Sequence, residues 1–487
     1  MLLDERFSAL QMKLVDVLPL NSPDSDQPHV LVILPSFSIG ETLLSHYGPR
    51  IPALEHRYLN ALLLLGRIAS CHVIYACTEA PRREVIETYF NMFAPERRDE
   101  IRRRFMLLAI PDQSYRPVAT KLVEDPSLLA QIQALINGRP AFIEPWNVTE
   151  NEVALALALD APINGCAPEL RSLGYKSAGR KLMRAAGVPV PHGIEDVRSL
   201  SEVVEAIASI RAARPNCPGV VVKHDDSVAG DGNAVLRFAD DDRGWRYKLE
   251  GLPSWYFEDL AKGGIVEELV TGSEFSSPSV QVDVLPGEQV KVLATHEQML
   301  GGEDGQVYMG CRFPAETDYA PKLAEDGYAI GMALASKGFL GRFSVDFAVA
   351  RDEGKPWRVF ALEMNLRKGG TTHPYAALRN LVPGRYDTST GQWLAQEGAL
   401  RYYVSTDNLV DPIWTGLDPG HLLAALSNAG LLFDHSTRIG VVPHMLACLA
   451  IDGRFGITAI GETPAAAQAL SAETEAVTAK TAAIYCS

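Results

Sequence analysis

From His29 onward, apolar and polar stretches alternate with a regular rhythm. Four short runs, His29–Ser36 (HVLVILPS), Cys71–Thr78 (CHVIYACT), Phe105–Ile110 (FMLLAI) and Ala141–Trp146 (AFIEPW), read as buried strands. Between them lie helical patterns such as Ala53–Ile68 and Ser127–Ile136, and this alternation predicts parallel βαβ units over residues 29–166. Ligands in such sheets bind beyond the carboxyl ends of the strands, so Pro35-Ser36-Phe37 and Glu144-Pro145-Trp146-Asn147 are expected to line a substrate. Residues 1–28 are polar, end in Asn21–Pro28, and are expected to form a flexible arm.

The middle of the chain changes character. Gly174–Pro191 (GYKSAGRKLMRAAGVPVP) places Leu182, Met183 and Ala186 at helical spacing before a Gly/Pro stop, with Lys176 at the start. Val220–Val235 (VVVKHDDSVAGDGNAV) reads as strand, loop, strand. Lys223 ends the first strand, and the glycines either let backbone approach phosphate oxygens or simply form a hairpin turn. Gly174–Lys181 only approaches Walker A spacing, with Arg180 in the wrong place, and no Gly-x-Gly-x-x-Gly run follows a strand. Gly264–Phe275 (GIVEELVTGSEF) carries Glu267, Glu268 and Glu274 on and after a short apolar strand; such acids either accept hydrogen bonds from a base and a ribose or flank a solvated edge.

Further on, Phe343–Ala348 (FSVDFA) is an apolar strand interrupted by Asp346. The polar turn Asp352-Glu353-Gly354-Lys355 joins it to Trp357–Arg367 (WRVFALEMNLR) as a hairpin. Glu363 and Asn365, two residues apart on a strand, leave the same face. With Asp346 they offer hard oxygens of the kind Mg²⁺ takes, although the same positions would also suit an exposed polar sheet face. Arg367 follows directly at the strand end, and Arg312 lies in the Cys-Arg-Phe-Pro segment between strands.

The order of these parts resembles the ATP-grasp superfamily over residues 165–385. Its marks are a lysine before a helix ending Ala-Gly-Val-Pro-Val-Pro, a lysine before a Ser/Gly loop, Val-Glu-Glu-Leu with a later Glu, then Asp and Glu-x-Asn. The resemblance implies an α/β chain with an α+β core. Its parts would be a pre-ATP-grasp substrate-side domain (29–166), an N-terminal ATP-grasp part with a glycine-loop lid (167–270), a metal-binding part (271–385) and an extra C-terminal α/β module (386–487). It implies ATP and Mg²⁺, with Lys176 and Lys223 on the phosphates and the loop Ser227–Asn233, including Gly230 and Gly232, folded over them. Glu267 would lie against adenine, the backbone of Glu268 and Leu269 would read its edge, Glu274 would hold ribose, and Asp346, Glu363 and Asn365 would bind the metal. The run Glu-Met-Asn-Leu-Arg-Lys-Gly-Gly-Thr-Thr-His373 looks like amino-acid-type ligases of this fold, which implies that Arg367, with Arg312 as a weaker partner, stabilises the acyl phosphate or the phosphoryl group in flight. The loop Ser-x-x-Gly-Asp-Gly-Asn-Ala, the stretch Gly440-Val-Val-Pro-His-Met-Leu446 and Gly453–Gly461 are similar to the pheganomycin-type peptide ligases. Val228 and Ala229 depart from the Ser-Gly junction frequent there.

Composition narrows the setting. At 487 residues, 47% hydrophobic and net charge −15, the chain suits a multidomain enzyme and gives no basic face for nucleic acid or anionic membrane. Arg97–Arg104 mixes acids with arginines at helical spacing and reads as a solvated helix. The seven cysteines lack Cys-x-x-Cys or zinc spacing, the apolar runs are short, and Met1–Leu10 lacks a signal pattern, so a cytoplasmic protein is expected. The expected activity is activation of a carboxylic acid or amino acid as an acyl phosphate and its joining to an amine, amino acid or peptide. A small-molecule kinase and a nucleotide-binding protein without turnover are the alternatives. Glu144 or Glu303 could meet a substrate ammonium, His444 could line a site, and a homo-oligomer stays open.

Overall fold

The computed structural model describes residues 3–38, 44, 47–227, 232–238, 243–301 and 307–486. The loop residues 228–231, with Gly230, and the ammonium candidate Glu303 lie outside the described residues.

Strands β1 (His29–Leu34), β2 (Cys71–Cys77), β3 (Phe105–Ala109) and β4 (Ala141–Pro145) form a parallel sheet in the order β3-β2-β1-β4. All six residues of β1 are buried because both faces are covered: Val30, Val32 and Leu34 enter one core cluster, Leu31 and Ile33 another. The N-terminal segment expected as a flexible arm is instead docked. Phe7, Leu10, Leu14 and Val17 recur at spacings of three and four and are buried on the helices Leu3–Gln11 and Leu14–Val17. Gln11 adds two hydrogen bonds to the Ile163 backbone, at 2.9 and 2.7 Å.

A second, antiparallel sheet, where the resemblance implies a lid, is formed by β5 (Gly193–Val197), β6 (Gly219–His224), β7 (Asn233–Arg237) and β8 (Gly264–Glu268), ordered β5-β8-β6-β7. Val220, Val222 and Val266 pack inward with the helix Leu200–Ala213, while Val221, Lys223 and Glu267 take the other face by strand alternation.

The main sheet is built from β9 (Glu274–Ser276), β10 (Pro278–Leu285), β11 (Gln289–Gly301), β12 (Val307–Phe313), β13 (Gly341–Arg351), β14 (Arg358–Asn365), β15 (Gly384–Asp387), β16 (Gln392–Ala395), β17 (Leu400–Val410), β18 (Gly440–His444) and β19 (Arg454–Gly461). Val280, Val282, Phe343, Val345 and Phe347 form its apolar face against the helix Ala320–Ala335. Gly327 and Gly331 allow that helix to sit close, since a Cβ there would come within 2.7 and 2.6 Å of Val280 and Val290. Residues 386–487, expected as a separate module, continue this sheet: β17 pairs antiparallel with β12, then with β19, which pairs with β18.

No described helix is long and apolar enough to cross a membrane. All seven cysteines are free. The arginine-rich helix is only partly solvated, because Arg104 is buried and donates to the carbonyls of Leu65, Ile68 and Cys71.

Candidate active site

The polar face of the main sheet gathers the expected metal ligands. Asp346 on β13 lies opposite Glu363 on β14, and Ser344 opposite Asn365, with a bulge just after Asp346. Asn365 Nδ2 donates to Asp346 Oδ2 at 3.0 Å, and Gln298 Nε2 donates to Asp346 Oδ1 at 2.8 Å. Burial, followed by the charge of Glu363, pushes the Asp346 carboxyl upward. Glu363 moves the other way: burial opposes its charge, but Lys176 and Lys223 outweigh burial and hold it low. Two carboxylates side by side, with Ser279 Oγ buried and unpartnered on the same cavity wall, fit a divalent cation that takes oxygen ligands.

The cations come from three elements. Lys176, at the start of the helix Lys176–Ala185, reaches Glu363 at 3.2 Å. Lys223 on β6 lies 2.6 Å from Glu267. Arg367 follows β14, sets its guanidinium 5.2 Å from the Trp146 ring centre and donates to the Lys368 carbonyl at 3.2 Å. Burial lowers the Arg367 guanidinium from its ordinary value, against Tyr58, Glu363 and Asp346. The loop after Arg367 is pinned: Lys368 N donates to the Trp146 carbonyl at 3.1 Å, and Gln281 donates to the Thr371 carbonyl at 2.7 Å. Gly370 lets this loop pass Tyr308, where a Cβ would meet the ring at 2.5 Å.

A cavity of about 370 Å³ opens among these elements. Asp346, Glu363, Asn365 and Arg367 line it from the main sheet, and Phe37 and Trp146 from the ends of β1 and β4, their rings 4.8 Å apart. Both parallel-sheet loops that sequence reasoning offered as substrate walls therefore reach it.

The other expected residues do not line this cavity. Glu267 is 1% exposed and bound by Lys223 and Arg180. Arg180 is fully buried, also binding Glu195 at 2.9 Å and the Pro191 carbonyl at 2.6 Å, so the residue that spoils the Walker spacing is a structural brace. Glu268 accepts from the His192 amide at 2.8 Å, and the amides of Glu268 and Leu269 donate to the His192 and Gly219 carbonyls. Glu274 is exposed and forms a bidentate pair with Arg351 at 2.8 and 2.7 Å. Ser227 Oγ donates to the His224 carbonyl at 3.5 Å, and Gly232 has φ +87° beside His224. Arg312 is not brought to the cavity. It pairs in register with Glu297, one residue out of phase with Gln298, so it leaves the face opposite Asp346 and is exposed. Glu144 is taken by Lys368 at 2.7 Å and Asn164 at 2.9 Å.

Sequence reasoning missed Arg57, Asp407 and His373. Arg57 and Asp407 line the cavity and pair at 2.8 Å, while His373 lies against Asp407 together with His444. They come from three segments far apart in the chain, and no local spacing announces them.

Residues 421–474 match the family model described as the PGM1 C-terminal domain. Over 471 residues the chain is 29% identical to the L-propargylglycine–L-glutamate ligase of Streptantibioticus cattleyicolor, covering 93% of this chain and 95% of that protein. Among solved structures it is similar to an ADP complex of N5-carboxyaminoimidazole ribonucleotide synthetase, with a TM-score of 0.51 and 12% identity over 93% of this chain and 97% of that one. It is also similar to a biotin carboxylase complex with β,γ-ATP from Campylobacter jejuni, with a TM-score of 0.52 and 14% identity over 91% of this chain and 89% of that one. The fold is therefore that of the ATP-grasp proteins.

Proposed function

We propose that this chain, built on the ATP-grasp fold, is an ATP-dependent carboxylate–amine ligase that forms an amide or peptide bond between small molecules, with release of ADP and phosphate. The observation that carries the reading is the convergence of Asp346, Glu363, Asn365 and Arg367 on one cavity, with Lys176 on Glu363. The similarity to a ligase named for joining two amino acids supports amino-acid substrates.

In this reading a substrate carboxylate oxygen attacks the γ-phosphorus of ATP, the bond to the bridging oxygen breaks and ADP leaves. The amine nitrogen then attacks the acyl carbon, phosphate departs and the amine gives up a proton. Arg367 faces the phosphoryl group as its charge spreads, and its stacking on Trp146 fixes it beforehand, so little reorganisation accompanies the reaction. Asp346, Glu363 and Asn365 would hold Mg²⁺, which neutralises phosphate charge. Lys176 and Lys223, now bound to Glu363 and Glu267, exchange those partners for phosphate oxygens when nucleotide enters. Phe37 and Trp146 give the acid an apolar wall and keep water from the acyl phosphate. With its free cysteines, the protein is assigned to the cytoplasm.

The test is ADP release from the purified chain with Mg-ATP and pooled amino acids and peptides, with product masses read by mass spectrometry. ADP together with a mass equal to acid plus amine minus water is expected; a phosphorylated product would replace the ligase with a kinase. Glu363→Ala with Asn365→Ala should abolish Mg²⁺-dependent turnover, and unchanged turnover would remove the metal assignment.

A further inference from the structure

A second set of donor atoms converges beside the cavity. His373 lies in the first turn of the helix Thr372–Leu381, Asp407 sits where β17 slips register against β19 between Thr406 and Leu409, and His444 ends β18. His373 Nε2 is 3.2 Å from His444 Nε2 and 3.3 Å from Asp407 Oδ1, and His444 Nε2 is 2.7 Å from that same oxygen. Both imidazoles are buried.

Hydrogen bonding accounts for only part of this triangle. One proton between His444 and Asp407 makes a good bond at 2.7 Å. His373 Nε2, at 3.3 Å from that oxygen, then either makes a long second bond to it or aims a lone pair at a carboxylate. Its Nδ1, also buried, has no partner among the described residues. A metal ion resolves the conflict by taking all three lone pairs. Tetrahedral ligand atoms bonded to zinc at about 2.0–2.1 Å lie about 3.3 Å apart, close to the two edges that His373 makes. The three edges give a circumradius of about 1.8 Å, so an ion about 1 Å off their plane would be about 2.0 Å from every donor.

We propose that His373, Asp407 and His444 form a site for one divalent transition-metal ion of the zinc class, separate from the Mg²⁺ site. Two imidazoles and one carboxylate select such an ion over Mg²⁺, which prefers oxygen alone. Arg57 holds the other Asp407 oxygen at 2.8 Å, and Asn60 holds the His373 carbonyl at 2.6 Å, so both ligands are oriented from the helical segment His56–Leu63. Arg57 also adds a like charge, which keeps the affinity moderate. The ion ties the loop after Arg367 to β17 and β18, joining the catalytic arginine's support to the C-terminal strands.

The full chain, purified without chelator, should carry about one zinc per chain by elemental analysis. After chelation, Co²⁺ should restore the intense visible bands of a four-coordinate nitrogen-containing site, whereas an all-oxygen six-coordinate site gives weak ones. These bands should survive Glu363→Gln with Asn365→Ala and disappear in His444→Ala and, as a milder change, in Asp407→Asn. Wild-type protein without bound zinc and without cobalt bands overturns the proposal, even if His444→Ala does not fold. Intense bands that persist in both ligand variants overturn it as well.

Discussion

Glu267 and Glu363 each stand near a strand end, with a lysine close by, yet the two environments differ. Glu267 is shared by two cations, Lys223 and Arg180, and is sealed from solvent. Glu363 has Lys176 at 3.2 Å but stands beside a second carboxylate, Asp346, and keeps 27% of its side chain exposed. A balanced cluster braces the fold, because every charge is answered within the protein. A cluster that opens on a cavity can be reached by something that binds, which is why the second is the one proposed to react.

The largest effect expected from this contrast is on stability. Glu267→Gln leaves Arg180 and Lys223 short of a counter-charge in the interior, and should cost about 3–5 kcal/mol, read as a lower urea midpoint; an unchanged midpoint would mean that the brace is dispensable. Arg367→Ala should leave that midpoint nearly in place and lower kcat about 10²–10³-fold. If it instead weakens ATP binding with kcat intact, Arg367 holds the ground state and not the transition state.

A neutral polar group in the same sheet sharpens the contrast. His296 is fully buried against Tyr403 Oη at 2.6 Å, and burial lowers its imidazole to about 3. Its folded value lies below the unfolded one near 6.5, so its contribution is complete above pH 6.5 and is lost as pH falls toward 3. The loss should be about 1.4 kcal/mol for each pH unit in that window. Urea midpoints at pH 7.5, 5.5 and 4.5 should therefore fall more steeply for the wild type than for His296→Gln; parallel curves would refute this. The smallest effect is expected at Arg312, whose exposed side chain leaves the wrong face. Arg312→Ala should change kcat/KM by less than about twofold, and a tenfold loss would return it to the active site.

The convergence of Asp346, Glu363 and Asn365 was legible because strand periodicity is strict: Glu363 and Asn365 must share a face, and a short polar turn brings Asp346 opposite. Arg312 was not, since its face depends on the register of β12 against β11, which hydrophobic pattern leaves open. Phe37 and Trp146 could be placed because parallel strands deliver their C-terminal ends to one edge. The N-terminal helices carried a visible signal in the spacing of Phe7, Leu10, Leu14 and Val17, obscured by the polar residues around them. His444 was singled out within Gly440–Leu446, but nothing local marks Arg57, Asp407 and His373 as its neighbours, because their meeting depends on how β17 and β18 join the main sheet.

The pairing of β17 with β12 also bears on how such proteins can be recombined. A chimera cut near residue 386 to import another protein's C-terminal portion would strip β12 of its neighbour and leave open an edge whose native partners are Ser405, Val404 and Tyr403. Any exchange meant to alter substrate choice must therefore carry a strand that matches β12 in length and register, which makes the transplantable unit a completed sheet and not a domain.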